Sequence, residues 1–145
     1  MSASDEGARI ALEEARDGLA QGGIPVGSAI ISPDGKILGR GRNMRVQNGS
    51  PILHGETAAF DSARQLDMKD FAGATLYTTL SPCPMCAGAM ILFGIKKVVI
   101  GENTHMSGRE ELLKQHGMEV VVLDDQDCKD VLDEFIQRWP KKWEF

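Results

Sequence analysis

Two short stretches carry residue types suited to chemistry. Cys83 and Cys86 bracket two residues in SPCPMC (81–86), and His54 and Glu56 bracket one in HGE (54–56). The CxxC pair alone leaves the chemistry open. It follows the apolar, β-branched run ATLYTTL (74–80) and opens a predicted helix, where free N–H groups and the helix dipole favour thiolates. That setting suits a thiol redox motif as well as a metal site. A closed structural zinc site needs four protein ligands. The remaining cysteine, Cys128, falls on the apolar face of a predicted helix and reads as a small buried hydrophobe. His116 precedes a helix-ending glycine, where a cation is ordinary. Taken singly, His54 reads as a structural histidine and Glu56 as a cap or dipole partner in a first helical turn. Taken together, His54, Cys83 and Cys86 supply three ligands for tetrahedral zinc with one position open to water. Glu56 is then a nearby carboxylate not needed as a ligand. A metal that lowers the pKa of its water to about 7, with a carboxylate to shuttle the proton, is equipment for hydrolysis.

These residues have to be positioned by the elements around them. Apolar residues at three- and four-residue spacing predict a helix over 5–21, stopped by Gly22-Gly23. PVGSAIIS (25–32) and KILGRGRN (36–43) read as strands joined by the turn Pro33-Asp34-Gly35, hence a hairpin. Residues 44–53 read as loop. A helix is expected over 54–66, a strand over 74–80, a helix over 83–93 closed by Gly94, and a strand at KKVVIG (96–101). A short helix over 109–116, a strand at MEVVVLD (118–124) and a last helix over 126–139 follow, with a KKWEF tail after Pro140. A hairpin followed by strand–helix alternation implies an α/β fold, a mixed five-stranded sheet between helices in three αβα layers. No linker or repeat interrupts residues 1–145, so one domain is expected.

Composition removes several function classes. The net charge of −5 takes away the basic footprint that phosphate binding usually needs. No stretch approaches the roughly 20 apolar residues of a membrane span. The N-terminal MSASDEGARI lacks the basic and apolar regions of a signal peptide. Three cysteines, an odd number, argue against a disulfide framework. A cytoplasmic protein is expected, with no membrane as partner; the acidic charge does not exclude nucleic acid, but no nucleic-acid partner is expected.

H-x-E followed downstream by P-C-x-x-C is the signature of zinc nucleobase deaminases. HGE and SPCPMC therefore resemble the cytidine deaminase superfamily. NMR…LHGE (43–56), TLYTTLSPCPMC (75–86), VVIGEN (98–103) and EVVVLDD (119–125) are similar to the fungal free-base cytosine deaminases over nearly the whole chain. The resemblance implies one zinc per chain, held by His54, Cys83 and Cys86, and Glu56 as the proton shuttle. It implies that Asn43 hydrogen-bonds the pyrimidine edge, and that the backbone of Gly55, Ser81 and Cys83 positions the ring and the leaving amine. It further implies a lid formed by residues 103–108, with His105 and Met106 at the substrate, a C-terminal segment closing over the site through Trp143, and a homodimer. Read without the resemblance, Asn43 is a turn residue and Trp143 is tail packing. An aromatic in a short tail is also suited to stacking on a flat ring.

The sequence departs from the fungal pattern in two places. Met106 stands where those enzymes carry an aromatic. The chain ends at Glu144-Phe145, short of a tail aspartate: either Glu144 or the Phe145 carboxylate substitutes for it, or that contact is absent. Both departures fall on the far edge of the substrate. The expected reaction is cytosine to uracil plus ammonia. Isocytosine is the runner-up, ahead of guanine, a tRNA adenosine or a thiol redox role.

Overall fold

The computed structural model describes residues 6–143. The hairpin forms as expected, β1 (Gly27–Ile31) against β2 (Ile37–Arg42), with Gly35 at φ +92° in its turn. The other strands are β3 (Thr75–Leu80), β4 (Lys97–Glu102) and β5 (Glu119–Val122). They make one sheet in the order β2-β1-β3-β4-β5. β1 runs antiparallel to both of its neighbours, while β3, β4 and β5 are parallel. The mixed sheet is therefore the one expected.

The helices are α1 (Glu6–Ala20), α2 (Arg45–Asn48), α3 (Gly55–Ser62), α4 (Pro84–Leu92), α5 (Glu110–Gln115) and α6 (Gln126–Arg138). α1 and α6 meet on one face of the sheet; α3 and α4 pack on the other, with α5 beside β5. The second face carries the larger core, in which Ile30, Leu76, Val98 and Ile100 of the strands meet Ala59, Phe60, Ala87, Met90 and Leu113 of the helices. Phe60, Phe71 and Phe93 make a mutual aromatic cluster there, with ring centroids 4.6–5.3 Å apart. On the other face, Glu14 of α1 is nearly buried and accepts from Arg40 Nε (2.7 Å) and Arg42 Nε (3.0 Å), fastening that helix to β2.

Several boundaries differ from expectation. Residues 44–53 are not all loop: α2 makes one turn there, ended by Gly49 in the left-handed region at φ +69°. The helix expected over 54–66 stops at Ser62, and a 3₁₀ turn over Met68–Phe71 buries Phe71. The strand expected over 118–124 ends at Val122, and Asp124 follows with φ +53°, which no strand continues. The tail coils into a 3₁₀ turn, Pro140–Trp143. Cys128 is buried on α6 with Val131, Leu132 and Phe135, as its apolar spacing implied, and His116 is exposed.

The topology brings the chemistry to one edge of the sheet. β3 and β4 end at the same side, so the Ser81–Cys83 segment and the loop after β4 emerge together. Because β1 is antiparallel to β3, the residues entering β1 (Ile24, Val26) and leaving β2 (Asn43) lie at that side too.

Candidate metal centre and adjoining cavity

Two helix N-termini converge at this edge. Cys83 caps α4, with Pro84 in the first turn where its missing N–H costs nothing. His54 caps α3, and its N–H is accepted by Thr57 Oγ1 at 2.9 Å. Thr57 thus fills the capping role that a first-turn Glu56 could have had. The N-terminus of α3 lies tight against β1: a Cβ at Gly55 would stand 3.1 Å from Ser28 Oγ and 3.2 Å from the Val26 carbonyl.

His54 Nδ1 lies 3.4 Å from Cys83 Sγ and 3.6 Å from Cys86 Sγ, and the three ligand atoms all fall within 4.8 Å of one another. Zinc–sulfur and zinc–nitrogen bonds of ordinary length at a tetrahedral angle require ligand separations of about 3.6 Å. The donor set therefore fits zinc in both chemistry and spacing. The two sulfurs are electrostatically unlike. A hydrogen bond from the Cys86 side chain draws the Cys83 thiol down to about 4, while the same contact, with burial, pushes Cys86 up. The hydrogen bond to Cys83 raises His54. Glu56 is buried on the inner side of α3, and desolvation pushes its carboxyl up to about 7.

A cavity of about 90 Å³ opens onto this group. His54, Glu56, Cys83, Asn43 and Ser81 give it a polar side; Ile24, Val26, Leu80, Met106 and Trp143 make the rest. Asn43 is buried, and its Oδ1 accepts from the Arg45 N–H at 2.9 Å, so it is both a turn residue and a wall residue. That bond fixes the amide and leaves its Nδ2 donors to the cavity. Ser81 Oγ donates to Glu110 Oε2 at 2.7 Å and accepts from the Gly108 N–H at 2.9 Å, which ties the 103–108 loop to the cavity wall. A Cβ at Gly108 would stand 2.0 Å from the Pro82 carbonyl, so only glycine permits that approach.

Gly55, expected to act through its backbone alone, is buried against β1 between the lining residues His54 and Glu56. One expected substrate residue sits elsewhere: His105 lies off the cavity, where Glu102 and Asp133 take both its ring nitrogens, and Met106 takes the place at the wall. Glu144 and Phe145, expected to replace a tail aspartate, lie outside the described residues. Sequence reasoning missed the apolar wall of Ile24, Val26 and Leu80, and missed Glu102 and Glu110. Glu102 did leave a signal, a charged residue closing the apolar run VVIGE.

Three protein ligands leave a tetrahedral ion one place for water, and a buried carboxyl stands on the helix that His54 caps; a metal-dependent hydrolase is the class this defines. More particularly, the chain belongs to the family described as the cytidine and deoxycytidylate deaminase zinc-binding region, whose model matches residues 1–102. It is a zinc deaminase, a hydrolase of carbon–nitrogen bonds in cyclic amidines. It is 49% identical over 138 residues to the cytosine deaminase of Candida albicans, covering 95% of this chain and 92% of that one. It is 36% identical over 143 residues to the tRNA-specific adenosine deaminase of Bacillus subtilis, covering 91% and 88%. Among solved structures it is similar to a diaminohydroxyphosphoribosylaminopyrimidine deaminase/reductase of Thermotoga maritima, with TM-score 0.76 and 34% identity over 99% of this chain and 43% of that one. It shares the fold of the guanine deaminase from Nitrosomonas europaea, with TM-score 0.74 and 24% identity, covering 88% and 82%. Among the described residues, no helix is long and apolar enough to cross a membrane.

Proposed function

We propose that residues 1–145 form a single deaminase domain that hydrolyses a free pyrimidine base, cytosine, to uracil and ammonia. The observation that carries this reading is the cavity of about 90 Å³, far below the several hundred Å³ of sites for larger ligands. It suits one small ring better than a ring with its sugar. The 49% identity to the Candida albicans cytosine deaminase supports the same substrate. The net charge of −5 favours a free base over a tRNA.

In this reading His54, Cys83 and Cys86 would hold the zinc, which would supply a water acidic enough to attack near neutral pH. Glu56 would take one proton from that water and pass it to the ring nitrogen beside the attacked carbon, then take the second proton from the same oxygen and deliver it to the amine, so that ammonia leaves. Asn43 donates from Nδ2 to the ring's carbonyl edge. Ser81 and the backbone of Gly55 and Cys83 orient the amine, and Met106 and Trp143 cover the ring and exclude water. Isocytosine is the second reading, favoured by Met106: a flexible thioether on the far wall tolerates a ring turned to present its C2 amine. The test is ammonia release from cytosine, isocytosine, cytidine, adenine, guanine and an adenosine-bearing RNA hairpin under one set of conditions. Cytosine is expected to be turned over fastest. Faster turnover of isocytosine installs the second reading, and preference for the hairpin or a nucleoside overturns both.

The same reading includes a homodimer. Ile52 and Leu92 are 61% and 66% exposed on the α3–α4 side, next to an apolar groove lined by Leu53, Phe60 and Phe93. Apolar surface of this kind marks an interface. Light scattering should give twice the chain mass, and Leu92→Glu should return it to one; a monomeric wild type sinks the dimer. The three free cysteines suit a reducing compartment, which favours the cytoplasm.

A further inference from the structure

His105 sits in the loop between β4 and α5, beside a wall residue of the cavity but not in the wall. Its Nδ1 lies 2.7 Å from Glu102 Oε1 and its Nε2 lies 2.8 Å from Asp133 Oδ1. Glu102 is wholly buried at the end of β4, and its second oxygen accepts the backbone N–H groups of Thr104 (2.6 Å) and His105 (3.1 Å). Asp133 stands on α6, with its side chain 56% exposed. A carboxylate oxygen only accepts, so a ring bonded at both nitrogens must donate from both, as a neutral imidazole does not.

We propose that His105 is a positioning residue: held as an imidazolium between Glu102 and Asp133, it pins the 103–108 loop to α6 and thereby fixes Met106 and Trp143 as the far wall of the cavity. The chain of contact is short. Met106 is the next residue. The Trp143 ring meets the His105 ring edge-on, with centroids 6.3 Å apart and planes at 79°. Both Met106 and Trp143 pack on the Ile24–Val26–Leu80–Leu132–Phe135 cluster and line the cavity. One side chain thus joins the lid, the last helix and the closing turn, three segments that share no strand pairing.

The pin carries a pH sense. Glu102 faces His105 from β4, Asp133 from α6, and the uncharged Trp143 ring from the closing turn. Lys129 on α6 is paired with Asp124 and lies within the field of Glu102, as does the neutral Cys128 thiol. Burial alone would lower the His105 pKa, but the hydrogen bonds to Asp133 and Glu102 outweigh it and hold the ring above its ordinary value. A basic group raised on folding stabilises the folded form fully below its ordinary value, near 6.5, and loses that contribution as pH rises through the higher folded value. The lid is therefore pinned below that raised folded value and released as the pH climbs through it.

Asp133→Asn removes one acceptor charge at an exposed position and leaves the metal set and the cavity lining alone. The ring is followed by nitrogen NMR of the zinc-loaded protein, and the wall by acrylamide quenching of the two tryptophans. Asp133→Asn is expected to lower the His105 midpoint, raise tryptophan quenching at neutral pH, and raise KM about fivefold, the difference between a hydrogen bond to a charged acceptor and one to a neutral acceptor, with kcat and zinc content unchanged. Asp133→Glu should restore all three. A ring that is neutral at pH 7 in the wild type overturns the proposal. So does a lowered midpoint with unchanged quenching and KM. The KM arm rests on the deaminase reading above. Failure of every base as substrate would count against that reading alone, because the NMR and quenching arms use no substrate.

Discussion

Glu56→Gln should lower kcat by about 10²- to 10⁴-fold, the usual worth of a positioned proton-transfer group. It should leave one zinc per chain and leave the thermal midpoint unchanged or raised. The three expectations have separate physical sources. Glutamine matches glutamate in shape but neither takes up nor releases a proton near neutral pH, so the transfer to ring and amine is lost while the cavity keeps its volume. The metal group is His54, Cys83 and Cys86, and Glu56 contributes no atom to it. Burial works against the charged form of the carboxyl, so a neutral amide of the same size removes a cost to the folded state. The His54 N–H at the start of α3 is held by Thr57 and not by Glu56. Steady-state kinetics, metal analysis and a melting curve read all three. A loss smaller than about tenfold would refute the proton-shuttle role. Zinc loss with the activity would turn Glu56 into a support of the metal group.

The parts of this architecture that were legible in the sequence are those set by local pattern. Period-2 and period-3.6 runs gave the strands and helices, and two-residue spacing across a helix start gave Cys83 and Cys86. Joining His54 to them took chemical reasoning about ligand number. What was not legible depends on which strand lies beside which. Ile24 and Val26 become wall residues only because β1 runs antiparallel to β3 and starts where β3 ends. Glu110 reaches Ser81, and Asp133 reaches His105, across 29 and 28 residues of chain; nothing local in either acid distinguishes it from the surface carboxylates around it. His105 was misplaced for the same reason. A histidine next to a lid methionine suggests a substrate contact, and the two carboxylates that turn it away come from other elements. Boundaries slipped where a single residue departs from its neighbours' geometry, as at Gly49 and Asp124.

Cys86→Ala tests whether the metal group is also a structural joint. α3 and α4 meet toward their C-terminal ends through the Phe60–Phe93 stack, and at their N-termini His54 on one meets Cys83 and Cys86 on the other. A bound ion fastens the two helices; without it, two thiols and an imidazole face one another with only hydrogen bonds between them. A ligand present at about 1,000 times its dissociation constant stabilises by about 4 kcal/mol. For a chain of this size that corresponds to about 10 °C in melting temperature. Cys86→Ala should therefore lose zinc and melt about 10 °C below the zinc-loaded wild type. Chelation of the wild type should cost a similar amount, and chelator should do little more to Cys86→Ala, because both act on the same bond set. Cys128→Ala is the control. That thiol is buried to a similar degree on α6 but belongs to no metal group among the described residues, so the variant should keep its zinc and remain sensitive to chelator. Stoichiometric zinc in Cys86→Ala would remove that residue from the ligand set. Additive losses from mutation and chelation would show that Cys86 stabilises α4 by packing, independently of the ion, and would leave the joint between the helices to be found elsewhere.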